Sequence, residues 1–262
     1  MKLSIIIASY NTFNLTKKCI ESILKYKPSF KLEIIVVDDG STDDSASKLR
    51  NHFKGVKNLI IIENLKNSGY VRTNNRGLIK SKGEYKLLLN SDTVVHQGAL
   101  DNLVDFASIT PDAGVVASKL LNSDKTTQKS CYHFPTIFNA INYQNFAPTT
   151  SEPTVVDAVV GAVFLITPKA YKLVGGLNPK YVSYFEDLDY CREVHRKGLK
   201  VYYLPSSIVT HYHGQTFKKL SDKDNQWKKL IPSSIAYHGY IKHYILFIIS
   251  WLYQKLRLVL RS

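Results

Sequence analysis

Short apolar runs alternate with segments of helical period along the first half of the chain. Leu3–Ala8, Glu33–Val37, Leu59–Ile62, Tyr85–Leu89 and Gly114–Ala117 have the length and β-branched content of buried strands. Between them, Leu15, Cys19, Ile20, Ile23 and Leu24 recur at helical spacing within Leu15–Tyr26, and Tyr70–Lys80 and Gln97–Ala107 also read as helices. The alternation predicts an α/β fold, a mostly parallel sheet with crossover helices on its faces. Farther on, Val155–Thr167 is apolar and carries Gly161-Ala162. Tyr190–Lys197 is expected to be a helix closed by Gly198, and Val201–Leu204 a strand stopped by Pro205. Residues 122–154 have no clear period and are rich in Thr, Asn and aromatics, and a loop of that length in a compact domain is often functional.

The end of the chain differs in kind. Ile245–Ile249 and Trp251–Tyr253 are strongly apolar, while His243, Ser250, Gln254, Arg257 and Arg261 fall on one helical stripe. The apolar stretch is short of the roughly 20 residues of a membrane span. Basic residues with Trp and Tyr on such a helix suit an interfacial anchor, and packing on the domain or at a dimer interface is the other reading. The expected division is therefore a domain over 1–220 and a basic amphipathic helical tail over 221–262.

Charge sharpens this division. The net charge is +14, and residues 191–262 hold 13 Lys/Arg against 3 Asp/Glu. The surplus lies beside the apolar tail, with Lys218, Lys219, Lys228, Lys229, Lys242 and Lys255 facing the choice of an anionic partner. That arrangement suits a lipid surface better than a nucleic-acid backbone, so no nucleic acid is expected. The three cysteines, Cys19, Cys131 and Cys191, form no C-x-x-C pair, which fits a reducing cytosol and argues against a zinc site. Met1-Lys2 runs straight into the first strand, so no signal peptide is expected.

Candidate chemistry lies at strand ends. Tyr10-Asn11, Asp38-Asp39, Glu63-Asn64 and Asp92 each follow an apolar run, and ligands in open α/β sheets bind beyond the carboxyl ends of strands. Neither a G-x-G-x-x-G turn nor a Walker A motif occurs, which disfavours a dinucleotide enzyme and a P-loop NTPase. Asp38 and Asp39 can accept hydrogen bonds from a base or a ribose, or simply cap the next helix. Asp92 with His211 can supply two ligands to a hard divalent cation that bridges a diphosphate, with His213 as a competing candidate. Tyr184-Phe185-Glu186-Asp187-Leu188-Asp189 packs three carboxylates beside aromatics, the composition of a general base or acid site.

Taken in order, Ser4–Asn11, Val36–Asp43, Asn64 with Asn67-Ser68-Gly69-Tyr70 and Asn74–Gly77, Leu89–Asp92, Gly161–Phe164, Gly175–Leu177, Glu186–Asp189 and His211 with Gly214 and Thr216 resemble the family 2 glycosyltransferases. The resemblance runs to about residue 220 and is strongest to bacterial rhamnosyltransferase-like enzymes of cell-surface polysaccharide assembly. It implies a GT-A fold and inverting transfer from a nucleotide sugar. Asp38 and Asp39 would hold the nucleoside within a donor site of Ser9, Tyr10, Asn11, Asn67, Gly69, Asn74, Asn90, Ser91, Asp92 and Gly161. Asn90-Ser91-Asp92 would stand at the D-x-D motif, with Asn90 in place of its first acid. Asp92 and His211 would hold a divalent cation, Mn2+ or Mg2+. Asp187 would be the base, with Glu186 and Asp189 positioning it or touching the acceptor.

The resemblance further implies a dTDP- or UDP-sugar donor, with L-rhamnose the first guess, and a saccharide acceptor on a polyprenyl diphosphate. It implies a cytoplasmic protein, peripheral on the inner face of the membrane. UDP-linked hexose, N-acetylhexosamine or galactofuranose stay open as donors, as does a catalytically silent relative. Donor specificity is expected in residues 122–160 and around Gly161–Phe164.

Overall fold

The computed structural model describes residues 1–136, 147, 150–212 and 223–259. Four parallel strands form one half of a nine-stranded sheet: β1 (Leu3–Ser9), β2 (Leu32–Asp38), β3 (Leu59–Glu63) and β4 (Tyr85–Leu89). Their order is β3-β2-β1-β4, and β10 (Val163–Ile166), β6 (Ala113–Leu121), β11 (Lys200–His211) and β5 (Thr93–Val95) continue it. β10 is antiparallel to both neighbours, whereas β6 and β11 run parallel. β5 and β8 (Thr154–Val156) pair antiparallel with opposite ends of β11. A separate two-stranded sheet joins β7 (Cys131–Tyr132) to β9 (Ala158–Val159).

Pleating sorts the apolar runs to the two faces. Ile5, Ile7, Leu87 and Leu89 pack with α1 (Phe13–Lys25), α2 (Ser45–His52) and α4 (Ala99–Ile109), while Ile6 and Leu88 face the opposite core. That second core also buries residues of α3 (Tyr70–Lys80), α5 (Pro168–Val174) and α6 (Glu186–Arg196). α3 approaches the sheet closely at Gly77, where an added Cβ would lie 2.4 Å from Cγ2 of Ile6. A side chain there would push the helix off β1. The register pairs Ser9 with Asp38 and Asp38 with Glu63, so the polar residues that follow β1, β2 and β3 share one edge of the sheet.

The expected mixed, mostly parallel sheet flanked by helices is present. Three boundaries differ from those the sequence suggests. Strand β11 passes through Pro205 and reaches His211, because a register shift between Leu204 and Ile208 absorbs the proline at a bulge. Helix α6 starts at Glu186, four residues early, so all three acids sit in its first turn. Its N-terminus needs no polar cap residue, since Phe185 takes that place in a left-handed conformation. The apolar run Val155–Thr167 divides into β8, β9 and β10.

Beyond the undescribed stretch 213–222, α7 (Lys223–His238) and α8 (Tyr240–Val259) form a helical hairpin through Gly239. α7 packs on the α6 side of the domain, with Tyr237 against Phe185. α8 turns the polar His243 inward, where its Nδ1 pairs with the hydroxyl of Ser234 at 2.8 Å. Ile241, Tyr244, Phe247, Ile248, Trp251 and Leu252 face outward. Among the described residues, no helix is long and apolar enough to cross a membrane.

Candidate functional site

At the ends of β1 and β2, the polar side chains are bound to one another. Both carboxylate oxygens of Asp38 accept from Ser41, its N–H at 2.8 Å and its hydroxyl at 2.6 Å. Asn11, at φ 52°, bridges the β1–α1 and β2–α2 loops by accepting from Thr42 N–H (2.9 Å) and donating to the Thr42 hydroxyl (3.0 Å). Ser9 lies within a buried hydroxyl cluster with Thr12 and Thr16. Asp39 is more fully engaged. It accepts from Asn64 Nδ2, Ser68 N–H, the Ser68 hydroxyl and Gly69 N–H, all within 2.8–2.9 Å. That carboxylate shapes the loop leading into α3. Gly40, at φ 72°, lets the chain pass against the Lys66–Asn67 backbone, where a Cβ would be 2.7 Å from Lys66. Asn67 itself is exposed, whereas Asn74 is buried and donates to the Tyr70 carbonyl within its own helix.

The end of β4 carries the second group. Asp92 is 5% exposed and His211 is 4% exposed, and Oδ1 of Asp92 lies 3.4 Å from Nε2 of His211. His211 Nδ1 is 2.8 Å from Gln128 Oε1. The amide nitrogen of Gln128 donates to Asn122 Oδ1, and Asn122 in turn donates to the Thr126 hydroxyl. This chain orients the Gln128 oxygen toward the ring, so Nδ1 carries a proton and Nε2 is the nitrogen that faces Asp92. A ligating histidine needs that arrangement. Carboxylate oxygen and imidazole nitrogen fit a divalent cation such as Mn2+. Among the described residues, no group of three or more His, Cys, Asp or Glu side chains stands ready for a metal, so the pair leaves the remaining positions to other ligands. His213 lies outside the described residues.

Asn90 does not join that pair. Its Oδ1 accepts from the Tyr70 hydroxyl at 3.1 Å, and the same hydroxyl is 3.1 Å from the Gly161 carbonyl. Ser91 is buried in the turn between Asn90 and Asp92. Tyr70 thus links the ends of α3, β4 and the approach to β10. Burial raises its pKa well above the usual phenol value, and Glu186, Asp187 and Asp92 add to the rise. Those three carboxylates therefore all act on one phenol.

Asp187 Oδ2 accepts from Gly161 N–H at 3.1 Å and Oδ1 from Leu188 N–H at 2.8 Å. Burial raises its pKa against these two bonds. Glu186 is pushed up to about 8, first by burial and then by the Asp187 charge, and its buried Oε2 has no hydrogen-bond partner. At neutral pH Glu186 is therefore held toward its protonated form beside Asp187. The two residues before the helix, Tyr184 and Phe185, have φ 67° and φ 68°. Left-handed non-glycine residues cost on the order of 1–3 kcal/mol each and gather at functional sites.

Asp189 points elsewhere. Two residues along a helix rotate it by about 200° from Asp187. Its carboxylate accepts from Tyr181 (3.0 Å), Asn178 (3.2 Å) and Arg192. It lines, with Asn75 and Asn178, a cavity of about 520 Å3 whose lining shares no residue with the Asp38, Asp92 or Asp187 groups. The structure thus brings Asn90, Asp92, His211, Gly161, Glu186 and Asp187 around Tyr70 and Gln128, and leaves Asp189 outside. Tyr70 and Gln128 were not singled out as site residues from sequence. A tyrosine inside the Asn67–Tyr70 motif was the available signal for the first, and the aperiodic 122–154 stretch for the second.

Comparison with known proteins bears on the family and the fold. Residues 4–165 match the family described as Glycosyl transferase family 2, and residues 87–261 match Glycosyl transferase family group 2. The poly(ribitol-phosphate) beta-glucosyltransferase of Bacillus spizizenii is 38% identical over 109 residues, covering 41% of this chain and 17% of that protein. The N-acetylglucosaminyl-diphospho-decaprenol L-rhamnosyltransferase of Mycobacterium tuberculosis is 24% identical over 238 residues, covering 75% of this chain and 76% of that one. The fold is that of GT-A glycosyltransferases: a crystal structure of GalNAc-T7 with UDP, GalNAc and Mn2+ superposes with a TM-score of 0.67 at 18% identity, over 81% of this chain and 44% of that one. The chain spans less than half the length of two of these three relatives. With a family match over well more than half of its length, the chain belongs to glycosyl transferase family 2.

Proposed function

We propose that this protein transfers a sugar, with inversion, from a nucleoside-diphosphate donor to a saccharide acceptor in surface polysaccharide assembly. The observation that carries the reading is the grouping of Asp187 and Glu186 with the Asp92–His211 pair around Tyr70. Asp187 removes the acceptor hydroxyl proton as that oxygen attacks the anomeric carbon. The Gly161 and Leu188 N–H groups hold its carboxylate in place. Protonated Glu186 spares Asp187 a second negative charge at its side. Asp38, Asp39, Ser9, Tyr10, Asn11, Asn67, Gly69 and Asn74 form or shape the nucleoside end. Asp92 and His211 hold a divalent cation, Mn2+ or Mg2+, which when bound supplies positive charge to the departing diphosphate.

L-Rhamnose from dTDP is the first donor reading, supported by the mycobacterial relative that covers three quarters of both chains. A UDP-hexose is the second, supported by the glucosyltransferase of higher identity over a shorter stretch. The acceptor reading is a polyprenyl-diphosphate-linked saccharide, met at the cytoplasmic face of the membrane. The outward apolar residues of α8, with Lys242 beside them and the basic surplus of the tail, support an interfacial helix that lies on anionic lipid.

A thermal-shift series with dTDP, UDP, GDP and CDP, each with and without Mn2+, tests the donor site. A metal-dependent rise in Tm with dTDP or UDP is expected, because a ligand of the native state stabilises it by mass action. No rise with any of the four would remove the donor-site assignment. Sedimentation with phosphatidylglycerol vesicles tests the helix: binding is expected, and loss of residues 241–262 is expected to abolish it.

A further inference from the structure

The segment Val182–Phe185 is held from two sides. On one side is the start of α3: the Val182 carbonyl accepts from Val71 N–H, and Val182 packs so closely on Gly69 that an added Cβ would lie 2.8 Å from its Cγ1. On the other side is α7. The buried Ser233 donates to the Ser183 carbonyl at 2.7 Å. The Tyr237 ring lies 5.3 Å from the Phe185 ring, and the His238 ring meets Phe185 edge-on at 5.7 Å. The Arg192 guanidinium lies over Tyr237 at 4.2 Å and donates to Asp189.

These contacts fall on Phe185 and on the residues just before Tyr184, and Tyr184 and Phe185 are the two left-handed residues that precede Glu186-Asp187. A non-glycine residue keeps positive φ only where its surroundings impose it. The α3 side fixes Val182, but the described rings against Phe185 come from α7. Releasing Phe185 would let Tyr184 and Phe185 relax to negative φ. The first turn of α6 would then rotate, moving Asp187 off the Gly161 N–H and opening Glu186 to water.

We propose that α7 is part of the catalytic apparatus, with Ser233 and Tyr237 as positioning residues that lock Tyr184 and Phe185 and so aim Asp187. The assignment of Asp187 as the base rests on the proposed function; the clamp itself rests on the contacts of α7. His238 belongs to the same layer. Burial, together with Lys242, His243 and Arg192, pushes its pKa down to about 4, so it meets Phe185 as a neutral ring. This gives Asp189 a purpose apart from proton transfer: through Arg192 it anchors the Tyr237 ring.

The test uses the full chain and reads the side-chain carboxyl of Glu186 by 13C NMR titration, with Glu186→Gln identifying the signal. That carboxyl faces Asp187 on its own helix, the Tyr184 hydroxyl from the preceding loop and the Tyr70 hydroxyl from α3. Arg192 on α6, and His238 and Lys242 from the hairpin, are the charged or titratable groups on the Phe185 side. In Tyr237→Ala the titration is expected to fall by at least one pH unit toward the usual carboxylate range. Tyr237→Phe, which keeps the ring, is expected to titrate as wild type, and Ser233→Ala to shift partway. Far-UV circular dichroism and Tm verify folding, and Ser233→Ala decides the matter if Tyr237→Ala does not fold. An unmoved Glu186 titration in the folded variants overturns the proposal, as does an equal shift in Tyr237→Phe. Binding of UDP and dTDP with Mn2+ is measured in parallel. Its absence from the wild type would sink the donor reading and leave the titration to decide the clamp.

Discussion

The two acidic regions of this molecule are built on opposite plans. Asp39 is surrounded by donors, four of them within 2.9 Å, and its neighbour Asp38 is closed by both donors of Ser41. Glu186 and Asp187 are half-buried with fewer partners, and one carboxylate oxygen of Glu186 is buried with none. The first plan spends hydrogen bonds on shape. The second leaves charge and a proton underused, at a cost in stability, where a reaction can draw on them. Acid content along a sequence therefore does not grade functional roles; the supply of local donors does.

The comparison breaks most visibly at Asp187. Asp187→Asn keeps the side-chain shape but removes the base, and transfer is expected to fall by roughly 10²–10⁴-fold while UDP or dTDP binding persists. Single-turnover assays beside binding titrations separate the two. Asp39→Ala should do the reverse. It strands the Asn64, Ser68 and Gly69 donors, and roughly 2–4 kcal/mol of unfolding free energy is expected to go, measured in urea. A smaller effect is expected at Gln128. Gln128→Ala frees the His211 ring, and Mn2+ affinity measured by electron paramagnetic resonance should drop roughly 10–100-fold.

Glu186→Gln sharpens the contrast through pH. The folded pKa of Glu186 is raised from 4.5 to about 8, so between those values the folded chain keeps a proton that the unfolded chain has released. Stability therefore falls as pH rises through that window. The amide cannot titrate, so the variant should lose this decline, gaining up to roughly 4 kcal/mol relative to wild type at pH 8.5 over pH 5. Parallel pH profiles of wild type and variant would refute the protonated state.

What the sequence made legible follows the range of the interactions. β1 to β4 announce themselves by apolar runs that end in Asp or Asn, and their loops put Asp38, Asp39 and Asp92 at one edge, because parallel strands share a direction. The start of α6 was hidden because its N-cap is an aromatic in left-handed conformation, stabilised by a helix some 50 residues later. Pro205 reads as a stop, yet a bulge lets β11 carry His211 to Asp92. Asp189 and Asp187 are alike in composition, and only helix rotation separates them. Gln128 carries no signal of its own beyond its place in the aperiodic 122–154 stretch, since His211 is 83 residues away.

One feature of the sheet bears on how such a protein changes over time. β6 runs out to the edge that carries the candidate site, and β10, antiparallel to it, runs back from the same edge. The chain thus leaves the sheet at Leu121 and re-enters β10 at Val163 on the same rim. The ends of the intervening segment are pinned by strands that need not move when its length or composition changes. Loop entropy rises slowly with length, by roughly 0.6 kcal/mol for each doubling. Changes of length within it, away from Gln128, β7 to β9 and Gly161, are therefore a small cost to the scaffold. Asp187, held by the Gly161 and Leu188 N–H groups, then stays where it is.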